Sequence, residues 1–322
     1  PALAEGRAPA SERSRVTDGG ASEPPSPRIA AVLALESPTI DELRPFLTDV
    51  DAGVRRTAVH VLTETLGDGY SPALLDALGD TDAAVRHAAA DGVRELVEVL
   101  PDPGAVHSQL CSADPVVRGA AIYVLSARRV GDATHYRNAL SDNDHRVRIE
   151  AVRALVSVDD VAGVPSAATD PDREVRIAAA NGLGTLGFGA AAVRHLLVDR
   201  DPLVRAAALT ALGSVGCDDS DIDAVQRALA ETAWQVRQGA VRALAGAASG
   251  SAVPALARAL ADPHLDVRKA AVLALTRWVA SHGAARDALT GALADGDTDV
   301  RAYARHALAA AESEVAVAMG QG

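Results

Sequence analysis

Three sets of residues in this 322-residue chain have types and spacings that chemistry could use. His60 and His87, with Asp91 one helical turn beyond His87, offer two imidazoles and a carboxylate, a donor set suited to a transition metal. Gly182-Leu183-Gly184, extended by Gly187 and Gly189, has the look of a loop that cradles phosphate. Trp234 and Trp278 present flat faces on which a nucleic-acid base could stack. Each set also has a structural reading. The histidines fall at solvated helix positions, the glycines fall where a helix ends and needs a cap, and single tryptophans in a regular array serve packing or end-capping. Sharper motifs are missing: none of the nine histidines is followed by Glu, and no zinc helix, nucleophile elbow, P-loop or cysteine cluster occurs. No catalytic residue, metal set or cofactor is assigned.

The elements that would carry such residues are set by a repeat. Val-Arg recurs nine times, from Val54-Arg55 to Val300-Arg301, at spacings of 28 to 33 residues. A period of that length marks a stacked repeat array. With each Val as position 0, position +4 is Ala in all nine copies, and position +8 is Leu in eight, Val93 being the exception. Positions 0, +4, +7, +8 and +11 fall on one face of a helix at about 100° per residue, which predicts a helix of roughly 12 residues with that face buried. The constant Ala fits helices packed ~8 to 10 Å apart, where a crossing at the shorter distances admits only a small side chain.

Most copies open with Asp-x-Asp-x-x-Val-Arg, as at Asp80 and Asp82 or Asp142 and Asp144. An Asp before a helix accepts its free amide hydrogens and complements the positive end of the helix dipole. A shorter amphipathic segment precedes each cap, for example Ser71 to Leu78, Ala133 to Leu140, Ile222 to Leu229, Ala252 to Leu260 and Ala285 to Leu293. Each repeat therefore reads as helix A, an Asp-rich turn, then helix B. The Arg at +1 lies at the edge of the buried stripe, within reach of turn carboxylates of its own or the adjacent repeat, so an Asp-Arg ladder is expected along the array. Repeat 7 departs from the turn pattern at Glu231 and Trp234, and repeat 5 has a weak helix A around Val164-Pro165.

On these residues the chain resembles the HEAT-repeat superfamily, and within it the HEAT-like type named after phycobilisome lyase (PBS lyase) subunits. Asp170 to Gly184 and Asp199 to Gly213 follow that unit closely. The resemblance implies an all-α, right-handed α-solenoid of about nine helix pairs, with B helices lining the concave side. It also implies functions ranging over scaffolds, adaptors, bilin-attachment proteins and a few enzymes.

The face of helix B opposite its core carries the functional expectation. Positions +2, +6 and +9 contain Arg56, Arg94, Arg153, Arg242 and Lys269 against one acidic residue, Asp91, a surplus of +4 in a chain of net charge −12. Tyr123, Ile149, Val156 and Ile177 add an apolar strip beside Arg153 and Asn181, and His87 lies on the same face. These twelve residues are the candidate partner-binding groove. Apolar surface beside Arg and Tyr is the composition of protein-binding hot spots.

The leading expectation is a non-enzymatic adaptor that holds an acidic-plus-apolar segment of another protein. The alternatives are a lyase-like subunit handling a small molecule or cofactor, and a nucleic-acid binder using a track of groove arginines. The net charge of −12 works against indiscriminate nucleic-acid or membrane binding. Lys269 is the only lysine, the codon bias of a GC-rich bacterial genome, and two distant cysteines, Cys111 and Cys217, point to a reducing cytoplasm. No apolar run is long enough to span a bilayer. Residues 1–27, rich in Ser, Pro, Gly and Ala, are expected to be a disordered tail, 28–311 the solenoid, and 312–322 a fraying C-terminal tail.

Overall fold

The computed structural model describes residues 26–65, 69–247 and 250–320, and the expected N-terminal tail lies almost wholly outside them. A short α1 (Pro27–Leu33) precedes nine pairs. The first two are α2 (Ile40–Leu47) with α3 (Ala52–Thr65), and α4 (Tyr70–Ala77) with α5 (Ala83–Glu95). A 3₁₀ segment, Pro103–Cys111, then stands before α6 (Pro115–Ala127), followed by α7 (Ala133–Ala139) with α8 (His145–Ser157). A second 3₁₀ segment, Val164–Thr169, stands before α9 (Arg173–Leu186), followed by α10 (Ala190–Leu196) with α11 (Pro202–Val215). The last three pairs are α12 (Ile222–Ala228) with α13 (Trp234–Ala245), α14 (Val253–Ala259) with α15 (Leu265–Thr276), and α16 (Gly283–Ala292) with α17 (Thr298–Gly320). The protein is an all-helical solenoid. Among the described residues the only β pairing is an isolated bridge between Cys217 and Ala247. The second helix of every pair, the B helix, begins at the predicted turn. The weak helix A of repeat 5 is the second 3₁₀ segment. Repeat 3 has the same form, its helix A being the 3₁₀ segment Pro103–Cys111.

The Ala at +4 is at most 1% exposed in every copy, and the Val at 0 likewise. The buried stripe differs from expectation at one edge. Position +5 is buried in repeats 1 to 8 (Val59, Ala90, Ile122, Val152, Ala180, Leu209, Val241, Val272), while +11 is fully buried only in repeats 2, 7, 8 and 9 (Leu96, Ala247, Trp278, Ala311) and half-buried in the others, as at Arg128. The internal B helices have only 12 to 14 residues, so +11 lies at or beyond their last turn. Position +5 faces the adjacent B helix, a contact that the pattern of one helix does not reveal. In repeat 9 the +5 residue is the exposed Arg305, which has no further B helix packed against it in this structure.

Successive B helices pack on one another along the whole array, whereas the A elements meet their neighbours sparsely. The closest approaches are made by glycines: a Cβ on Gly213 would sit 2.6 Å from the carbonyl oxygen of Arg242, and one on Gly246 2.1 Å from that of Gly213. Tighter spacing on the B side bends a stack toward that side, which puts the B helices on its inner face.

The expected ladder is present and more specific than an Asp-Arg contact. Arg118 Nε and Nη2 both donate at 2.7 Å to the Asp142 carboxylate of the next repeat, while Nη1 donates to its own turn at Ser112 O (2.8 Å) and Ala113 O (3.1 Å). The same fork joins Arg55 to Asp80, Arg148 to Asp170, Arg176 to Asp199, Arg237 to Asp262 and Arg268 to Asp295. Arg86 reaches Asp114, and Arg205 reaches Glu231, which takes the place of Asp in repeat 7. The two aspartates of the turn divide the work. The first is the ladder acceptor and the second caps the B helix, as Asp144 does by accepting from Arg146 N. At the N-terminal end Arg28 of α1 pairs with Asp49, supplying the rung that a preceding repeat would give.

Candidate interaction groove

The inner face is built by B-helix positions +2, +6 and +9, and its relief depends on what repeat 3 lacks. Gly119 is the only glycine at +2 among the nine copies. It leaves a hollow of about 410 Å³ bordered by Asp91, Arg94, Ile149, Glu150 and Arg153, with Pro115 and Val116 on α6. A second depression of about 320 Å³ adjoins it, lined by Ile149, Val156, Ile177, Asn181 and again Arg153. The two share Ile149 and Arg153, so repeats 2 to 5 form one continuous trough. Tyr123, Ile149, Val156 and Ile177 are half-buried, held between neighbouring helices with part of each side chain facing the trough.

The charge on this face differs from the expected surplus. Glu150 at position +3, mostly buried, lies between two of the cations: Arg153 Nη1 donates to its Oε1 at 2.9 Å, and Arg94 Nη1 is 3.7 Å from the same oxygen. Arg94 also lies over the Tyr123 ring, 5.1 Å from its centroid, a cation–π contact. Lys269 is paired with Asp299 at 2.7 Å, which holds its ammonium above the ordinary lysine range. His87 turns to the ladder, with Nε2 3.2 Å from Asp114 Oδ2. Burial alone would raise the Asp114 carboxyl. Hydrogen bonds from Arg86 and the Val116 amide, together with the His87 and Arg86 charges, bring it below the usual range. Arg56 and Arg242 have no ion-pair partner among the described residues and stay exposed. The groove therefore carries two unneutralised guanidinium groups and an internally balanced cluster, not a uniform cationic track.

A third depression, about 370 Å³, opens at the other end of the same face between Arg242, Leu273, Lys269 and Tyr303. Leu273 is 61% exposed and Tyr303 42%, the largest apolar side chains bared along this face. Of the twelve candidates, Asp91, Arg94, Ile149, Arg153, Val156, Ile177 and Asn181 meet in the trough, with Tyr123 against Arg94. Arg242 and Lys269 belong to the third depression, and Arg56 stands apart at the first repeat. Gly119, Glu150 and Tyr303 are not legible from a count of charged and apolar groove positions, whereas Leu273 is an apolar residue at +6 that such a count reaches. The signal of the other three is that each breaks the column it stands in: Glu150 is the only acidic residue at +3, where most copies have Ala or Thr.

The other chemical constellations resolve into packing. Trp234 stacks on His264 with ring centroids 3.9 Å apart and 4° between planes, and His264 Nδ1 caps α15 by accepting from Asp266 N. Trp278 is buried and meets His282 edge-on. Gly182 and Gly184 lie in the last turns of α9, Gly187 closes it in the left-handed conformation, and Gly189 opens α10. Among the described residues no three His, Cys, Asp or Glu side chains converge to hold a metal ion, and no helix is long and apolar enough to cross a membrane.

Comparison with known proteins agrees with this architecture. A family model described as HEAT repeats matches residues 164–245 and 222–309, and a model of the single HEAT repeat matches 71–100. No curated protein matches the sequence. Among solved structures, an engineered protein is similar over 88% of this chain and 90% of its own, with 21% identity and a TM-score of 0.52. A chain of the complex in which Kap95p binding induces the switch loops of RanGDP to adopt the GTP-bound conformation is similar over 83% of this chain and 45% of its own, with 14% identity and a TM-score of 0.58. At such identities the likeness is one of fold. The matched repeats, the nine-fold helix pairing and the unbroken ladder together make this chain a member of the HEAT-repeat proteins.

Proposed function

We propose that the protein is a non-enzymatic scaffold or adaptor that holds an acidic-plus-apolar segment of a partner protein in the trough of repeats 2 to 5. The observation that carries this reading is the pair of adjoining depressions that share Ile149 and Arg153. Apolar floor and guanidinium rim are thereby fixed on the same two side chains. A partner's apolar residue seated there gains ~25 cal/mol per Å² buried. A carboxylate beside it meets Arg153, which selects orientation and partner more than it adds affinity. The ladder holds the B helices in register, so little ordering is lost on binding. Within the HEAT repeats, the Asp-x-Asp-x-x-Val-Arg unit supports the phycobilisome-lyase type, and the two free cysteines fit a reducing cytoplasm.

The hollow over Gly119 favours a second reading, a small-molecule site, because its volume falls within the ~300 to 1,000 Å³ of ligand pockets. The test is comparative capture from the native organism, with proteins and small molecules both analysed by mass spectrometry. Wild type, Ile149→Asp with Ile177→Asp, and Arg258→Glu on α14 serve as baits, each checked for native helicity. Protein partners lost from the double variant and kept by Arg258→Glu support the scaffold. A small molecule that leaves with the double variant in the absence of any protein would transfer the site to the second reading. Partners lost only with Arg258→Glu would move the working surface to the A side.

A further inference from the structure

The trough explains Ile149 and Arg153 but leaves the far end of the same face without a role. There Arg242 on α13 has no carboxylate among the described residues, in a protein whose arginines at +1 of repeats 1 to 8 are all neutralised by a rung. Beside it Leu273 on α15 and Tyr303 on α17 are bared to 61% and 42%, around a depression of about 370 Å³. The chemistry is akin to that of the trough, apolar anchors beside a guanidinium over a cavity of side-chain size, except that Arg242 is unpaired whereas Arg153 is held by Glu150. Between the two sites the groove positions are small: Gly184 at the end of α9, and Ala206, Thr210 and Gly213 on α11. Small side chains there let an extended backbone lie close to the helices, where long ones would hold it away.

We infer that the groove is a two-anchor surface, and that its partner is a single extended segment carrying two acidic-plus-apolar clusters. One cluster sits in the trough of repeats 2 to 5 and the other at Arg242, Leu273 and Tyr303. The inference rests on the reading of the trough as a segment-binding site and adds the partner's length and spacing. From α8 to α15 the anchors are separated by about four B-helix steps of ~8 to 10 Å, roughly 30 to 40 Å. An extended chain covers that with about 10 to 12 residues at ~3.3 Å each. Charge complementarity fixes the chemistry of the second cluster: Lys269 is already held by Asp299, so Arg242 is the cation left for a carboxylate.

The probe is chosen from a pool of tetrapeptides with Asp or Glu at the first two positions and Leu, Ile or Phe at the last two. The tightest member is then made in tandem with Gly-Ser spacers of about 4 and about 14 residues, the first too short to span the anchors and the second long enough. The tandem with the long spacer should bind at least about tenfold more tightly than the single peptide, and the one with the short spacer should not. Leu273→Asp, or separately Arg242→Glu, should return the long tandem to the affinity of the single peptide. Both side chains are exposed, so the variants should fold, which thermal melts check. If the single peptide binds and is lost with Ile149→Asp, but spacer length and the two distal variants have no effect, the second anchor is refuted and the scaffold reading survives. If no member of the pool binds in an Ile149-dependent way, the scaffold reading itself falls, and the second anchor with it.

Discussion

Replacing Arg118 by Ala should uncouple repeats 3 and 4, at a cost several times that of the same change at Arg301. Arg118 loses two 2.7 Å bonds to Asp142 and two to the carbonyls of Ser112 and Ala113, and leaves a carboxylate whose side chain is only 13% exposed without its cation. Truncating one member of a buried pair costs about 3 to 5 kcal/mol. The residual exposure of both partners, 17% and 13%, lowers that to about 2 to 4 kcal/mol. Arg301 makes the same contacts to its own turn, at 2.7 Å and 3.0 Å, but no fork onto a further repeat, so its loss should cost only about 1 kcal/mol. Urea unfolding followed by circular dichroism gives both values. A double-mutant cycle of Arg118→Ala and Asp142→Ala isolates the fork, with an expected coupling of about 1.5 to 3 kcal/mol. Equal costs at the two arginines, or a coupling near zero, would show that the ladder decorates the array without joining its repeats.

Three further outcomes follow from the same geometry. Ala208→Leu, at a fully buried +4 position, should cost about 1 to 3 kcal/mol by overpacking, whereas Thr210→Leu in the same helix should shift the thermal midpoint little; the reverse order would mean that the buried and groove faces are exchanged. Gly246→Ala places a methyl 2.1 Å from the Gly213 carbonyl oxygen, so α11 and α13 must separate and the melting temperature must fall; a melt identical to wild type would refute that approach. Acid should weaken the array in a defined window. The Arg55 hydrogen bonds hold Asp80 below its unfolded range, and at Asp142 and Asp262 the arginine and turn hydrogen bonds outweigh the burial that opposes them. A lowered folded pKa stabilises above the unfolded value of about 3.9 and is lost as pH falls through the folded one. Urea midpoints should therefore hold steady from pH 7 to about 5 and drop below about 4, less steeply in Asp142→Asn; an unchanged slope in that variant would sink the assignment.

What the sequence discloses is whatever one helix imposes on itself. The column of Ala at +4, the Asp caps and the Arg at +1 repeat because every repeat solves the same local problem, so helix order, turn chemistry and the ladder can all be read from spacing. Contacts between helices are less legible. Burial at +5 comes from the neighbouring B helix, and neutralisation of Arg94 and Arg153 comes from Glu150, which sits one position outside the face on which charges were counted. The hollow over Gly119 is likewise defined by side chains of three different helices, α5, α6 and α8. Its sequence signal is a single missing side chain.

The ladder and the groove use different edges of the same B helices, and this is what allows the array to be rigid and its inner face variable. Position +1 is spent on the next repeat, and 0, +4, +5, +7 and +8 on the core. Positions +2 and +6, His87 apart, carry neither duty, so they hold Arg, His, Gly, Ile, Ala, Gln and Lys at +2, and His, Asp, Tyr, Arg, Asn, Thr and Leu at +6. Such diversity within a repeat that is otherwise nearly constant is the pattern of a surface shaped for what it touches. Packing alone would have filled these positions as uniformly as it filled +4. The guanidinium forks fix the relative rotation of successive helices, which turns two loosely related positions per helix into a surface of fixed relief. On the proposed scaffold reading, selectivity resides where that relief breaks, at Gly119, Glu150 and Tyr303, and at the exposed Leu273.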